Sequence, residues 1–221
     1  MKGMWWKLTG VILVFYAIYA GFTVEVPALP ILHETIRNLF FHVTMWFGMM
    51  ILMLVSMIYS IKFLSSSREA HDVIASEAAH VGMLFGAMGI VTGMIWAYYT
   101  WGDWWVKDPK LNGAAVSMLV YLAYFVLRGS MEDPIKKAKV AAVYNIFAFV
   151  LLIVFIKILP DMTDSLHPGN GGNPGFNTYD TTPKLKMVFY PAIIGWTLIG
   201  VWIVSLKVRL KNLVINRLIN Q

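Results

Sequence analysis

The sequence predicts an all-α integral membrane protein with six transmembrane helices and both termini in the cytoplasm. Three observations carry that prediction. The 221 residues are 58% hydrophobic and only 14% charged, with a mean hydropathy of +0.65; a soluble domain is about half apolar and a quarter charged. Apolar runs long enough to cross a bilayer recur six times along the chain. The basic residues flank those runs unevenly. Arg37, Lys107, Lys110, Lys157, Lys184 and Lys186 fall on one side, and the other twelve of the 18 fall on the side that holds both termini. The positive-inside rule makes that second side cytoplasmic. The net charge of +6 is thus a topological signal, so the expected partner surface is the lipid bilayer and not nucleic acid. Without cysteine, the chain has no disulfide, thiolate metal site or redox C-x-x-C motif.

The chain reads as one six-helix domain, with helices at about 8–26, 41–64, 76–98, 113–128, 140–159 and 187–206. The first run follows Lys2 and Lys7 and is longer than the apolar centre of a signal peptide; no A-x-A cleavage site follows it. Glu25, Pro27 and Pro30 end it, and an external connection carries His33, Glu34 and Arg37. The second helix opens at His42 and is rich in methionine. In the third, Gly82, Gly86, Gly89 and Gly93 are spaced 4, 3 and 4 and share one face. That small-residue pattern lets membrane helices approach closely. The fifth run ends at Pro160, and the external loop 160–186 contains His167 and the run PGNGGNPG, whose composition marks a flexible surface segment. The expectation is a mobile lid carrying His167, free until a ligand tethers it. Pro191 is expected to bend the sixth helix, and the tail after it is basic and amphipathic.

The chemistry concentrates in the external segment 96–112, WAYYTWGDWWVKDPKLN. Trp96 at a helix end fits an aromatic belt. The rest is too polar for hydrocarbon and too aromatic for an ordinary loop, which suits a shallow platform for a flat, apolar, partly anionic ligand. Topology places His33, His42 and His167 on that external side; His71 and His80 lie towards the cytoplasm and read as ordinary polar residues. Trp46 sits one turn from His42 on the same helix face. No H-E-x-x-H or similar paired spacing appears, and zinc or copper would ask for more ligands. Haem fits better, because histidine is a common axial ligand and a porphyrin stacks on indoles. Its propionates would seek Arg37, Lys107 or Lys110. Asp103 and Asp108 would repel them, leaving lysines, indole N–H groups or loop backbone as their expected partners.

The run W-G-D-W-W-V-K-D-P-K-L, residues 101–111, closely resembles the WWD signature of the haem-handling proteins of cytochrome c maturation. Length, six helices and topology are similar to the CcmC branch, over nearly the whole chain. That resemblance implies that His42, in R-N-L-F-F-H-V, and His167, in S-L-H-P-G, are axial ligands to the iron of haem b. Arg37, Asp108, Lys110, Trp101, Trp104 and Trp105 would then be binding residues. It further implies delivery of haem to the chaperone CcmE beside the ABC-type subunits CcmA and CcmB, at the periplasmic face of a bacterial inner membrane. A handling protein is expected, not an enzyme. The sequence departs from the usual W-x-W-D at Lys107, which replaces a tryptophan, and Lys110 stands where arginine is common. The rival within this superfamily is a haem-ligating synthase of the CcsA or CcmF type, generally longer. Outside it, a secondary transporter would need ionisable residues deep in its helices, and here the charges cluster at helix ends.

Overall fold

In the computed structural model, which describes residues 3–27, 32–167 and 182–219, every regular element is helical. The six long helices are α1 (Trp5–Thr23), α2 (His42–Ser66), α3 (Glu69–Trp101), α4 (Pro109–Gly129), α5 (Pro134–Ile153) and α6 (Pro183–Ile219). All six have the length and apolarity to cross a membrane. A 3-10 helix, His33–Phe40, leads into α2. A π-helical turn, Val154–Ile158, and a last α turn, Leu159–Asp161, extend α5.

Several helices outrun the spans read from hydropathy, for identifiable reasons. Gly102 takes a left-handed conformation at φ +84° and caps α3, so Trp96 and Trp101 are helical, not part of a loop. Asp108 and Asp133 each precede a proline, and each carboxylate accepts from two amides of the helix that follows. Asp at the N-cap with Pro at the first helical position is the favoured start, and it sets the beginnings of α4 and α5 four and six residues earlier than hydropathy suggests. The tryptophan segment 96–112 is therefore the end of one helix, a short turn and the start of the next. Helix α6 runs on through Pro191.

The core lies between α2 and α3, the most extensive contact in the bundle. The glycine face of α3 receives the methionine and aromatic side chains of α2. A Cβ at Gly82 would lie 2.8 Å from the Met53 methyl, and one at Gly86 2.8 Å from the Met49 sulfur. In return Phe85 fills the space over Gly48. Polar contacts are internal and paired: Asn145 on α5 donates to Ser56 and Ser60 on α2, and Ser56 donates to the carbonyl of Ala75 on α3. At the end away from the tryptophans, Arg128 grips Asp72 with both terminal nitrogens, and Lys207 meets Glu77 at 3.0 Å.

The π turn has its own constraint. A Cβ on Gly113 would lie 2.1 Å from the backbone oxygen of Phe155. Helix α4 thus approaches the widened turn at a position where only glycine fits. Replacing Gly113 with alanine gains up to about 1 kcal/mol of helix propensity, but overpacking against backbone costs about 1–3 kcal/mol and prevails. In detergent, Gly113→Ala should unfold several degrees below the wild type. Gly129→Ala, where nothing lies within 4 Å, should not; equal melting temperatures for the two variants would show that the π turn yields freely.

Candidate functional site

The helix ends that carry the tryptophan segment and the two external histidines converge on one cavity of about 440 Å³. Its walls come from the 3-10 helix, the start of α2, the end of α3, the start of α4, the π turn and the residue His167. The lining is apolar except for a few groups, chiefly Asn38, His42, Lys110, Lys157 and His167. A cavity of this size with few convergent polar groups has the character of a small-molecule or cofactor site.

His42 is buried at the first position of α2. Its Nδ1 lies 2.9 Å from the Gly89 carbonyl oxygen and 3.2 Å from Thr92 Oγ1. A carbonyl can only accept, so Nδ1 carries the proton and Nε2 keeps the lone pair. The ring occupies the space left by Gly93, where a Cβ would come within 2.7 Å of His42 Cε1. The glycine stripe that packs α3 against α2 thus also seats the histidine.

His167 is buried too, with Nδ1 3.0 Å from Asp108 Oδ1. That contact is close but off the ideal N–H line, and His167 Nδ1 has no straight hydrogen bond among the described residues. Asp108 is 1% exposed. Its Oδ1 also accepts from the amides of Lys110 and Leu111, and its Oδ2 accepts from Ser165 Oγ at 2.7 Å and the Leu166 amide at 2.8 Å. Burial by itself would raise this carboxyl. The close contact with His167 and the hydrogen bonds from Ser165 and the Leu166 amide outweigh it and hold the carboxyl well below the ordinary carboxylate range. Asp108 is therefore ionised, an acceptor only.

Trp96 stands between the histidines. Its ring centroid is 5.9 Å from that of His42 and 5.7 Å from that of His167. Its Nε1 donates to Thr35 Oγ1 at 3.2 Å, which ties α3 to the 3-10 helix. Trp101 covers His167 at 5.0 Å without lining the cavity. Trp105 lines it and donates to Asn112 Oδ1.

The other residues expected at the site are placed elsewhere. Trp104 is 49% exposed and stacks on Tyr98 at 4.7 Å, outside the cavity lining. Arg37 also lies outside that lining, pairs with Glu34, and directs Nη1 to the carbonyl oxygens of Gly21 and Val24 at the end of α1. Lys107 is exposed, so its replacement of a tryptophan falls off the cavity wall. His33 is exposed with φ +41°, and His71 and His80 contact Tyr59 and Phe125 at the opposite end.

One expectation is corrected. His167 is not free in the absence of a ligand, because three successive residues, 165–167, converge on the Asp108 carboxylate. The PGNGGNPG run of the expected lid lies outside the described residues. Of the partners expected for Asp108 the backbone is the one observed, and Ser165 and His167 join it in place of lysines or indoles. Sequence reasoning missed Trp96 as a wall residue because a helix-end tryptophan is explained by the membrane interface alone. It also missed Lys157, which borders the cavity from an exposed position on the π turn where it pairs with Asp161.

The fold and cavity define a multi-pass membrane protein with two histidines at the mouth end of an apolar chamber. The family model described as CcmC, heme exporter protein C, matches residues 2–221, and the chain belongs to that family. It is similar to the heme exporter protein C of Bradyrhizobium diazoefficiens, 31% identical over 134 residues, which are 60% of this chain and 50% of that protein. The corresponding protein of Paracoccus denitrificans is 27% identical over 61% of this chain and 56% of its own length. A cytochrome c biogenesis protein CcsA from Prochlorococcus marinus is 29% identical over 42% of this chain and 30% of its own. The chain spans about half the length of the heme exporter relatives that it matches.

The seat of His42 generates a prediction that needs no ligand. Gly93→Val should displace the imidazole, because its side chain fills the space the ring now holds. In protein with 15N-labelled histidine, the His42 ring resonances should move while those of His71 stay in place. Unmoved His42 resonances would mean that the ring does not depend on this seat.

Proposed function

We propose that this protein binds haem b in the chamber beneath the tryptophan segment and hands it to the haem chaperone CcmE during c-type cytochrome biogenesis. It would act beside the ABC-type subunits CcmA and CcmB. The observation that carries this reading is that His42 and His167, far apart in sequence, line the same cavity in a chain of the heme exporter protein C family. Both have Nδ1 engaged by an acceptor, which leaves Nε2 as the nitrogen to offer to a metal. That donor set suits bound haem iron. Trp96 and Trp105 would cover the porphyrin, and Lys110, with Lys157 once it leaves its Asp161 partner, would meet the propionates. Arg37 would act as a brace that holds the end of α1 against the approach to His42. The charge distribution supports cytoplasmic termini, and hence a site on the periplasmic side of a bacterial inner membrane.

The chain's own residues explain how such a ligand would be held and kept from water. The apolar walls favour a flat hydrophobic molecule by about 25 cal/mol per Å² of apolar surface buried. The lysines select for an anionic edge. The exposed Trp104–Tyr98 pair lies outside the chamber and suits contact with lipid or the receiving protein.

Purified protein should carry a Soret band. His42→Ala and His167→Ala should each weaken haem affinity by more than the ~10–100-fold typical of losing a supporting partner, and added imidazole should fill the vacated position. Unchanged spectra and haem content in both variants would remove the assignment. Trp96→Ala should lower haem retention and Trp104→Ala should spare it, since of these two Trp96 lines the chamber and Trp104 does not. Transfer to CcmE should be the step that Trp104→Ala slows.

A further inference from the structure

We infer that Asp108 is a positioning residue for His167, one that makes the two histidines unequal donors; this rests on the haem-binding reading above. The two imidazoles have different partners behind them. His42 Nδ1 donates to a neutral peptide carbonyl, that of Gly89, at 2.9 Å. His167 Nδ1 lies 3.0 Å from Oδ1 of Asp108, a carboxylate that also accepts from Ser165 and from the Lys110, Leu111 and Leu166 amides. A carboxylate behind a metal-binding histidine fixes the tautomer and raises the basicity of the outward nitrogen more than a neutral acceptor does. His167 is then the stronger donor, although it follows a loop and His42 begins a helix.

The carboxylate also ties the histidine to the tryptophan segment. Oδ1 serves the Lys110 and Leu111 amides that begin α4, while Oδ2 serves Ser165 and Leu166. Any shift in the turn 102–107 that moves Asp108 therefore moves His167 with it. A partner that docks on the exposed part of that turn, around Trp104, would act on the bond from His167 through Asp108. This gives the turn a route to ligand release through Asp108, separate from the wall contact that Trp105 makes.

Asp108→Asn tests the charge while largely sparing the helix start, because asparagine and aspartate are comparable N-caps. Asp133→Asn is the matched control: Asp133 caps α5 through the Ile135 and Lys136 amides in the same way, at the other end of the bundle. In ligand-free protein with 15N-labelled histidine, wild-type His167 should be the Nδ1–H tautomer, its ring proton shifted downfield by the carboxylate it faces. That proton should move upfield in Asp108→Asn and stay in Asp133→Asn. With haem bound, Asp108→Asn should lower affinity ~10–100-fold and shift the midpoint potential upward; Asp133→Asn should change neither. A His167 proton on Nε2 in the wild type overturns the inference, even if Asp108→Asn fails to fold. So do an unchanged potential and affinity in Asp108→Asn, or equal effects from the two variants. Wild-type protein that binds no haem would instead defeat the functional reading, and the ligand-free spectrum would still decide the role of Asp108.

Discussion

The close approach of α2 and α3 is the constraint on which the rest of the structure depends. Lipid gives helices no hydrophobic reason to associate, so contact must come from packing and internal hydrogen bonds. The glycine face of α3 supplies the packing, since methionine, tryptophan and histidine side chains lie where Cβ atoms would otherwise be. Methionine suits such surfaces because its flexible thioether fills irregular gaps. The same stripe, continued two turns beyond the centre, meets Trp46 at Gly89 and His42 at Gly93. Core and candidate site are therefore one interface, and a change in helix spacing would be felt at the imidazole.

Charge is confined to the two ends, and each end uses it differently. At the end away from the tryptophans, Arg128 and Asp72 join α4 to α3, and Lys207 with Glu77 joins α6 to α3. These pairs link the helices across the bundle. At the tryptophan end, the exposed pair of Glu25 with Lys184 is worth little by itself, and the buried Asp108 carries the organisation. A buried carboxylate is tolerated only with a nearly full set of donors. Its donors come from both sides of the cavity mouth.

Much of the architecture was legible in the sequence because membrane helices announce themselves by composition. The six spans, the glycine face and the gathering of His42, His167 and the tryptophan segment at one end follow from hydropathy, spacing and alternation. Helix boundaries were less legible. Hydropathy stops where polar residues begin, whereas Asp-Pro caps and Gly102 extend or end a helix on local backbone chemistry. The inner membership of the site was hidden for a different reason. Trp101, Trp104 and Trp105 look equivalent in the sequence, yet the turn at Gly102 sends Trp104 outward onto Tyr98 and Trp105 into the cavity. Arg37 reads as an anion-binding residue until α1 is seen to end beside it with open carbonyls.

The placement of His167 follows from the same electrostatic logic and bears on how the chamber would take a ligand. A segment rich in glycine and proline has no packing reason to hold a side chain at a fixed point, and ordering backbone costs about 1–2 kcal/mol per residue. Asp108 meets that cost before any ligand arrives. Its need for donors draws in Ser165, the Leu166 amide and His167 together, and Trp101 then closes over the ring. Both candidate ligands are thus preset, one by the glycine seat of a helix and the other by a buried charge. Binding to preset groups avoids the ordering cost that weakens association with mobile ones. On the reading proposed above, a ligand would be released by moving Asp108 together with the start of α4, whose amides share its carboxylate with His167.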